Sequence, residues 1–133
     1  MQAVKWIVVA LLVYVGIVAT FESLIGYFQP AGDSTLVITT TDAGGVPHDR
    51  VVARLETDGK LYVAVNHWPR AWYRRALENP LVQATFDGKQ ADYRAVFVTG
   101  DEYARVEREH HAGIVFRLLT GFPPRYFFRL DTR

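Results

Sequence analysis

The sequence predicts a mainly β domain with helices: a closed or partly closed antiparallel barrel behind an N-terminal transmembrane helix. Three observations predict it. Two Asp-Gly dipeptides, Asp58-Gly59 and Asp87-Gly88, each sit between β-rich runs, and a two-residue hairpin turn favours this pair because it needs positive φ. The connections between the runs are too short for repeated right-handed crossovers, which excludes a parallel sheet. Trp6–Phe21 carries no charged residue, and the apolar pattern resumes after Glu22 with Leu24, Ile25, Tyr27 and Phe28. At about 1.5 Å per residue, Trp6–Phe28 is long enough to cross a hydrocarbon core of roughly 30 Å.

The elements follow in order. Residues 1–28 form the anchor, with Trp6 at one end and Tyr27 and Phe28 at the other, placed as interfacial aromatics are. A cleaved signal peptide fits less well, because Lys5 is the only side-chain base before the apolar run and Val18-Ala19-Thr20 is a poor cleavage site. Residues 29–34 hold Pro30, Gly32 and small polar residues and read as a linker; residues 35–133 form the barrel domain. Thr35–Thr41 is β-branched almost throughout and predicts the first strand. Across the Asp42–Pro47 turn, Arg50–Glu56 alternates, with Val51, Ala53 and Leu55 on one face and Arg50, Val52, Arg54 and Glu56 on the other. Leu61–Val65 is continuously apolar, as in a strand covered on both sides.

A helix then opens at Pro69 and stops at Asn79-Pro80, with Tyr73, Ala76 and Leu77 expected on the sheet and Arg74, Arg75 and Glu78 in water. Val82–Phe86 and Ala91–Thr99 pair across the second Asp-Gly turn. Thr99 to Glu102 has capping-box spacing and starts a further helix, with Tyr103 and Val106 as its buried positions. That helix turns apolar from Ile114 to Phe122 before Pro123-Pro124, and Arg125–Leu130 reads as a last strand.

Composition removes several functions. With a formal net charge of +1 the chain lacks the electrostatic footprint of a nucleic-acid binder. No cysteine is present, which excludes disulfides, thiolate metal sites and a cysteine nucleophile. His48, His67, His110 and His111 match no metal-ligand spacing, so no metal site is expected. No serine lies in a nucleophile-elbow pattern.

Arg50–Pro80 carries most of the chemistry. A helix opening beside Pro69 presents free backbone N–H groups and the positive end of its dipole to Arg70, with Arg50 reaching in from the preceding strand. That set suits a phosphate. The same arginines can equally be solvated, Trp68, Trp72 and Tyr73 can be core aromatics, and Asn66 and His67 can cap the helix. His67 is the one histidine placed to act as a proton donor.

Thr39, Thr40 and Thr41, the turn glycines Gly44 and Gly45, and the helix bearing Trp72, Tyr73, Asn79 and Pro80 give the chain a family likeness over about residues 36–98. The stretch resembles the deazaflavin-dependent nitroreductase and quinone reductase family, within the FMN-binding split β-barrel superfamily. The resemblance implies a split barrel of the flavin-reductase and pyridoxamine-phosphate-oxidase type. It implies FMN or a deazaflavin of the coenzyme F420 type as cofactor, with Arg50, Asn66 and Arg70 at its phosphate and His67, Trp68, Trp72 and Tyr73 beside it. It further implies a homodimer, and hydride or electron transfer to a quinone-like or nitroaromatic acceptor.

The chain departs from the family pattern in two places. Asp42-Ala43-Gly44-Gly45 stands where a basic turn is usual, and the loop Asn66–Arg70, between Leu61–Val65 and the helix, is short. These departures favour an alternative, a non-catalytic accessory subunit of a membrane complex, in which Ile114–Phe122 packs on a partner or on the membrane surface. Lys5 before the span and acids after it favour the domain outside; a flavin-type electron supply favours it inside.

Overall fold

The computed structural model describes residues 1–28, 34–65, 71–111, 113–119, 121–122 and 124–133. One long helix, α1 (Gln2–Phe28), precedes six strands: β1 (Thr35–Thr41), β2 (Pro47–Thr57), β3 (Lys60–Val65), β4 (Leu81–Phe86), β5 (Lys89–Phe97) and β6 (Tyr126–Thr132). Between them lie α2 (Ala71–Glu78), α3 (Gly100–Glu109) and α4 (Ile114–Leu119). The strands close into a barrel in the order β1-β2-β3-β6-β5-β4, with β4 returning to β1. Every ladder is antiparallel, and closure leaves the sheet no free edge.

Period-two alternation makes two apolar layers from one sheet. Leu36, Ile38, Val52, Val63, Val65, Val82, Ala84, Ala95, Phe128 and Leu130 fill the barrel interior, joined by Trp72 and Ala76 of α2. Tyr62, Ala64 and Phe127 point the other way and pack with Val98 and with Val106 of α3. β3 is thus covered on both faces, which is why its sequence is unbroken apolar chain. β2 also serves both layers. Val52 faces the interior, while Ala53 and Leu55 lie against the α3 layer.

Both hairpins turn at Asp-Gly. Asp58 and Gly59 have φ of 53° and 72°, and Asp87 and Gly88 have 52° and 74°, the double left-handed conformation that matches strand twist.

Four local features differ from the sequence expectation. The stretch after Thr99 is two helices, α3 and α4, and α3 stops at His110, whose N–H reaches the Val106 carbonyl at 3.0 Å. Thr99 occupies the N-cap position but its side chain makes no cap bond. Its expected partner Glu102 is engaged elsewhere, accepting from Tyr62 at 2.8 Å and from Arg129 at 2.9 Å. On α2 the buried face is Trp72 and Ala76, while Leu77 is 48 % exposed. Arg75, expected in water, turns inward and donates to Thr40 Oγ1 at 3.0 Å.

α1 contains a stretch, Gln2–Leu24, long and apolar enough to cross a membrane. Its lower half touches α4: the Tyr14 hydroxyl donates to the Leu118 carbonyl at 2.9 Å, and Phe21 meets Phe116 edge to face at 6.1 Å. The linker positions 29–33 lie outside the described residues.

Candidate cofactor site

The register of β1 on β2 fixes the direction of the first arginine. Ile38 faces Arg50 and Thr40 faces His48, and residues opposite each other across a ladder point to the same side. Ile38 and Thr40 are fully buried, so Arg50 and His48 lie on the inward face at that end of the barrel. α2 meets them there. Pro47, His48, Asp49, Arg50, Ala71, Trp72 and Arg75 line a cavity of about 370 Å³.

Two guanidinium groups, of Arg50 and Arg75, line the cavity together with one carboxylate, that of Asp49. Burial pushes the Arg50 guanidinium below its ordinary pKa, and the carboxylate of Glu22 on α1 acts against that shift. An arginine keeps its proton at any working pH, so the desolvated charge has most to gain from an anion brought into the cavity. Arg75 adds a second guanidinium, pinned by Thr40. Ala71, the first residue of α2, lines the same wall, which puts a helix N-terminus at the opening.

His48 and Asp42 close one side, with the ring Nε2 2.9 Å from the carboxylate. The acidic turn has a structural cause. Asp42 Oδ1 accepts from the Gly44 and Val46 N–H groups at 2.9 and 3.0 Å, so a carboxylate shapes the turn that a basic residue could not. The His48 hydrogen bond, followed by that from Val46, holds the Asp42 carboxyl below its ordinary pKa.

Of the residues singled out from the sequence, Arg50 and Trp72 come together at this cavity. Trp72 is only 5 % exposed and packs on Phe128 at 5.9 Å, so it forms wall and core at once. Tyr73 is directed elsewhere: it stacks on Tyr126 at 5.2 Å and 10°, within a group that includes Phe97 and Phe128. Asn66, His67, Trp68 and Arg70 lie outside the described residues.

Two cavity residues escaped the sequence reading. Arg75 stands three positions after Trp72, one helical turn on the same face, a spacing that could have revealed it. His48 needed the β1–β2 register.

A larger hollow of about 560 Å³ lies at the other end of β2, beside Glu56, Lys60, Phe86, Tyr93 and Asp131. Its two carboxylates outnumber its one lysine, which disfavours an anion there. Among the described residues no group of three His, Asp or Glu side chains is placed to hold a metal ion.

Solved structures share this architecture. HutZ, the heme storage protein from Vibrio cholerae, is 20 % identical over 85 % of this chain and 90 % of that one, with a TM-score of 0.54. An F420-H2-dependent reductase is 19 % identical over 74 % of this chain and 94 % of that one, TM-score 0.54. An FAD-binding protein from Mesorhizobium loti is 18 % identical over 84 % and 87 %, TM-score 0.51. The chain has the split-barrel fold. No protein-family model and no curated protein sequence matches it.

Proposed function

We propose that this chain is a membrane-anchored split-barrel oxidoreductase that uses a phosphate-bearing flavin or deazaflavin, FMN in the simplest case. The observation that carries the reading is the presence of two guanidinium groups, Arg50 from β2 and Arg75 from the last turn of α2, in a cavity walled by Trp72. Two guanidinium forks and a helix N-terminus form a donor set that fits a phosphate. Split-barrel neighbours described as an F420-H2-dependent reductase and an FAD-binding protein support the cofactor class. When bound, a reduced flavin or deazaflavin supplies the hydride or electrons. The chain's own part is to anchor the phosphate, orient the ring and exclude water.

In this assignment Arg50, Arg75 and Arg70 hold the phosphate and Asn66 hydrogen-bonds the cofactor. Trp68 and Trp72 border the ring, Tyr73 buttresses that wall through Phe128, and His67 stands as proton donor. The acceptor is quinone-like or nitroaromatic, and the reading is consistent with α1 as an anchor that brings the site near lipid-soluble quinones. A neighbour solved as a domain-swapped dimer supports a homodimer.

Visible absorption of the protein purified in detergent, followed by titration with FMN and with deazaflavin, tests the proposal. Arg50→Ala and Arg75→Ala should each weaken binding by about 1.5–3 kcal/mol, whereas Arg74→Ala on the exposed face should leave it unchanged. Equal affinity in wild type, Arg50→Ala and Arg75→Ala removes the phosphate site. A colourless protein that takes up neither cofactor favours the accessory-subunit reading instead. A reporter fused after Arg133 assigns the side of the membrane, and activity confined to the outside would exclude a cytosolic deazaflavin donor.

A further inference from the structure

We propose that α4 and the turn after it form a second membrane element, a short re-entrant excursion into the leaflet occupied by the C-terminal half of α1. The proposal rests on α1 being the anchor, and its occupant is lipid acyl chain.

The path of the chain carries the argument. Phe116 of α4 lies against Phe21, the Leu118 carbonyl lies against Tyr14, and Gly121 comes back to Val18, where an added Cβ would stand 3.2 Å from a valine methyl. From Phe21 to Val18, whose short side chain meets Gly121, the helix axis advances about 4.5 Å. The segment therefore descends along α1 away from the barrel, reverses, and climbs again. The reversal uses left-handed backbone at Gly121 and Phe122, φ 78° and 52°. Val18 lies about 9 Å inside the Leu24 end of the apolar stretch Gln2–Leu24, so the tip enters the leaflet.

The chemistry of the excursion suits that depth. Ile114 and Val115 are 69 % and 67 % exposed, and Leu118 and Phe122 are about half exposed. Their surface continues that of Val13, Ile17 and Leu24 on α1, with Leu119 beside the same α1 groove. A patch of this kind in water would be an aggregation liability; beside a transmembrane helix its solvent is hydrocarbon.

Lipid also demands that backbone groups find partners within the protein. Among the described residues of the turn, Leu118 O accepts from the Tyr14 hydroxyl and from Gly121 N–H at 3.3 Å, and Arg117 O accepts from Phe122 N–H at 2.8 Å. The Tyr14 hydroxyl, itself costly in hydrocarbon without a partner, is satisfied by the same bond. Arg117 sets its guanidinium over the Phe122 ring at 5.6 Å.

The chain has no cysteine, so single nitroxide labels can be placed cleanly in the full-length protein. Val115→Cys and Leu118→Cys report on the excursion, Leu12→Cys on the anchor and Arg94→Cys on the barrel surface. In phosphatidylcholine vesicles, oxygen and a water-soluble nickel chelate serve as collision partners. The expected result is oxygen-dominated relaxation at Val115 and Leu118, shifted to the level at Leu12 and opposite to that at Arg94. Nickel-dominated relaxation at Val115 and Leu118, with oxygen dominant at Leu12, overturns the excursion and leaves the anchor standing. Labels shielded from both partners overturn it in favour of a protein surface covering α4. Nickel dominance at Leu12 overturns anchor and excursion together.

Discussion

At the scale of single residues, Glu102 links three elements outside the cavity. It accepts from the Tyr62 hydroxyl at 2.8 Å and from Arg129 Nη1 at 2.9 Å, while the rest of the Arg129 fork grips Asp131 at 2.8 and 3.0 Å. These bonds tie α3 to β3 and β6. Burial pushes the Glu102 carboxyl up, and the Tyr62 and Arg129 hydrogen bonds outweigh it, so the folded-state pKa lies below the ordinary value of 4.5. Arg129 is shifted upward by Asp131 first and Glu102 second.

The sign of the linkage follows. A carboxyl more acidic in the folded state stabilises fully above its unfolded pKa, and that stabilisation is lost as pH falls through the depressed folded value. Glu102→Gln should therefore cost about 1–2 kcal/mol at neutral pH and cost less as the pH drops below about 4.5. Thermal unfolding in detergent at neutral and acid pH checks this. A deficit that stays constant across the series would show that the Glu102 charge is not what holds α3.

At the scale of elements, the two Asp-Gly hairpins set register for four of the six strands. Gly59 and Gly88 both have φ above 70°, with open space where a Cβ would point. The cost of Gly59→Ala or Gly88→Ala is then conformational, about 1 kcal/mol each, and nearly additive because the turns share no partner. Gly59→Val should cost more, since branching at Cβ is poorly tolerated at positive φ. Melting temperatures of the two single variants and the double variant test it, and an undiminished double variant would mean that the turns do not limit stability.

These hairpins were legible because turn chemistry is local. So was the apolar run of β3, whose two-sided burial needs no partner to be named. The faces of α2 were not. Leu77 is solvent-exposed and Arg75 is turned inward because Trp72 and Ala76 meet the barrel interior, with Tyr73 packed against the same cluster as expected. That choice depends on the helix's rotation about its own axis, which one short amphipathic segment does not determine. The capping-box expectation at Thr99 failed for a related reason: Glu102 had a stronger tertiary partner in Arg129. The cavity was half legible. Arg50 and Trp72 could be nominated from the sequence, and Arg75 stood one turn beyond Trp72 on the same helix face, while His48 emerges only when β1 pairs with β2.

At the scale of the whole molecule, the barrel and α1 are held by different physics. Six closed ladders and an interior apolar cluster stabilise the barrel, whereas the principal contacts of α1 are with α4. Deleting residues 1–28 should consequently leave the barrel folded, with its far-ultraviolet circular dichroism intact. It should not leave a well-behaved soluble protein. Removing Tyr14, Val18 and Phe21 strips α4 of its cover and adds that surface to the already exposed Ile114, Val115 and Leu118. At about 25 cal/mol per Å² of apolar area, the newly bared surface favours self-association or adsorption to vesicles. The truncated chain should thus float with phosphatidylcholine vesicles, and adding Val115→Ser and Leu118→Ser should release it as a monodisperse species. Loss of ordered secondary structure on truncation would show that α1 is part of the fold and that Glu22 beside Arg50 contributes to the barrel. A truncated chain that is folded, monodisperse and indifferent to vesicles would show that α4 needs neither α1 nor lipid to be stable in water.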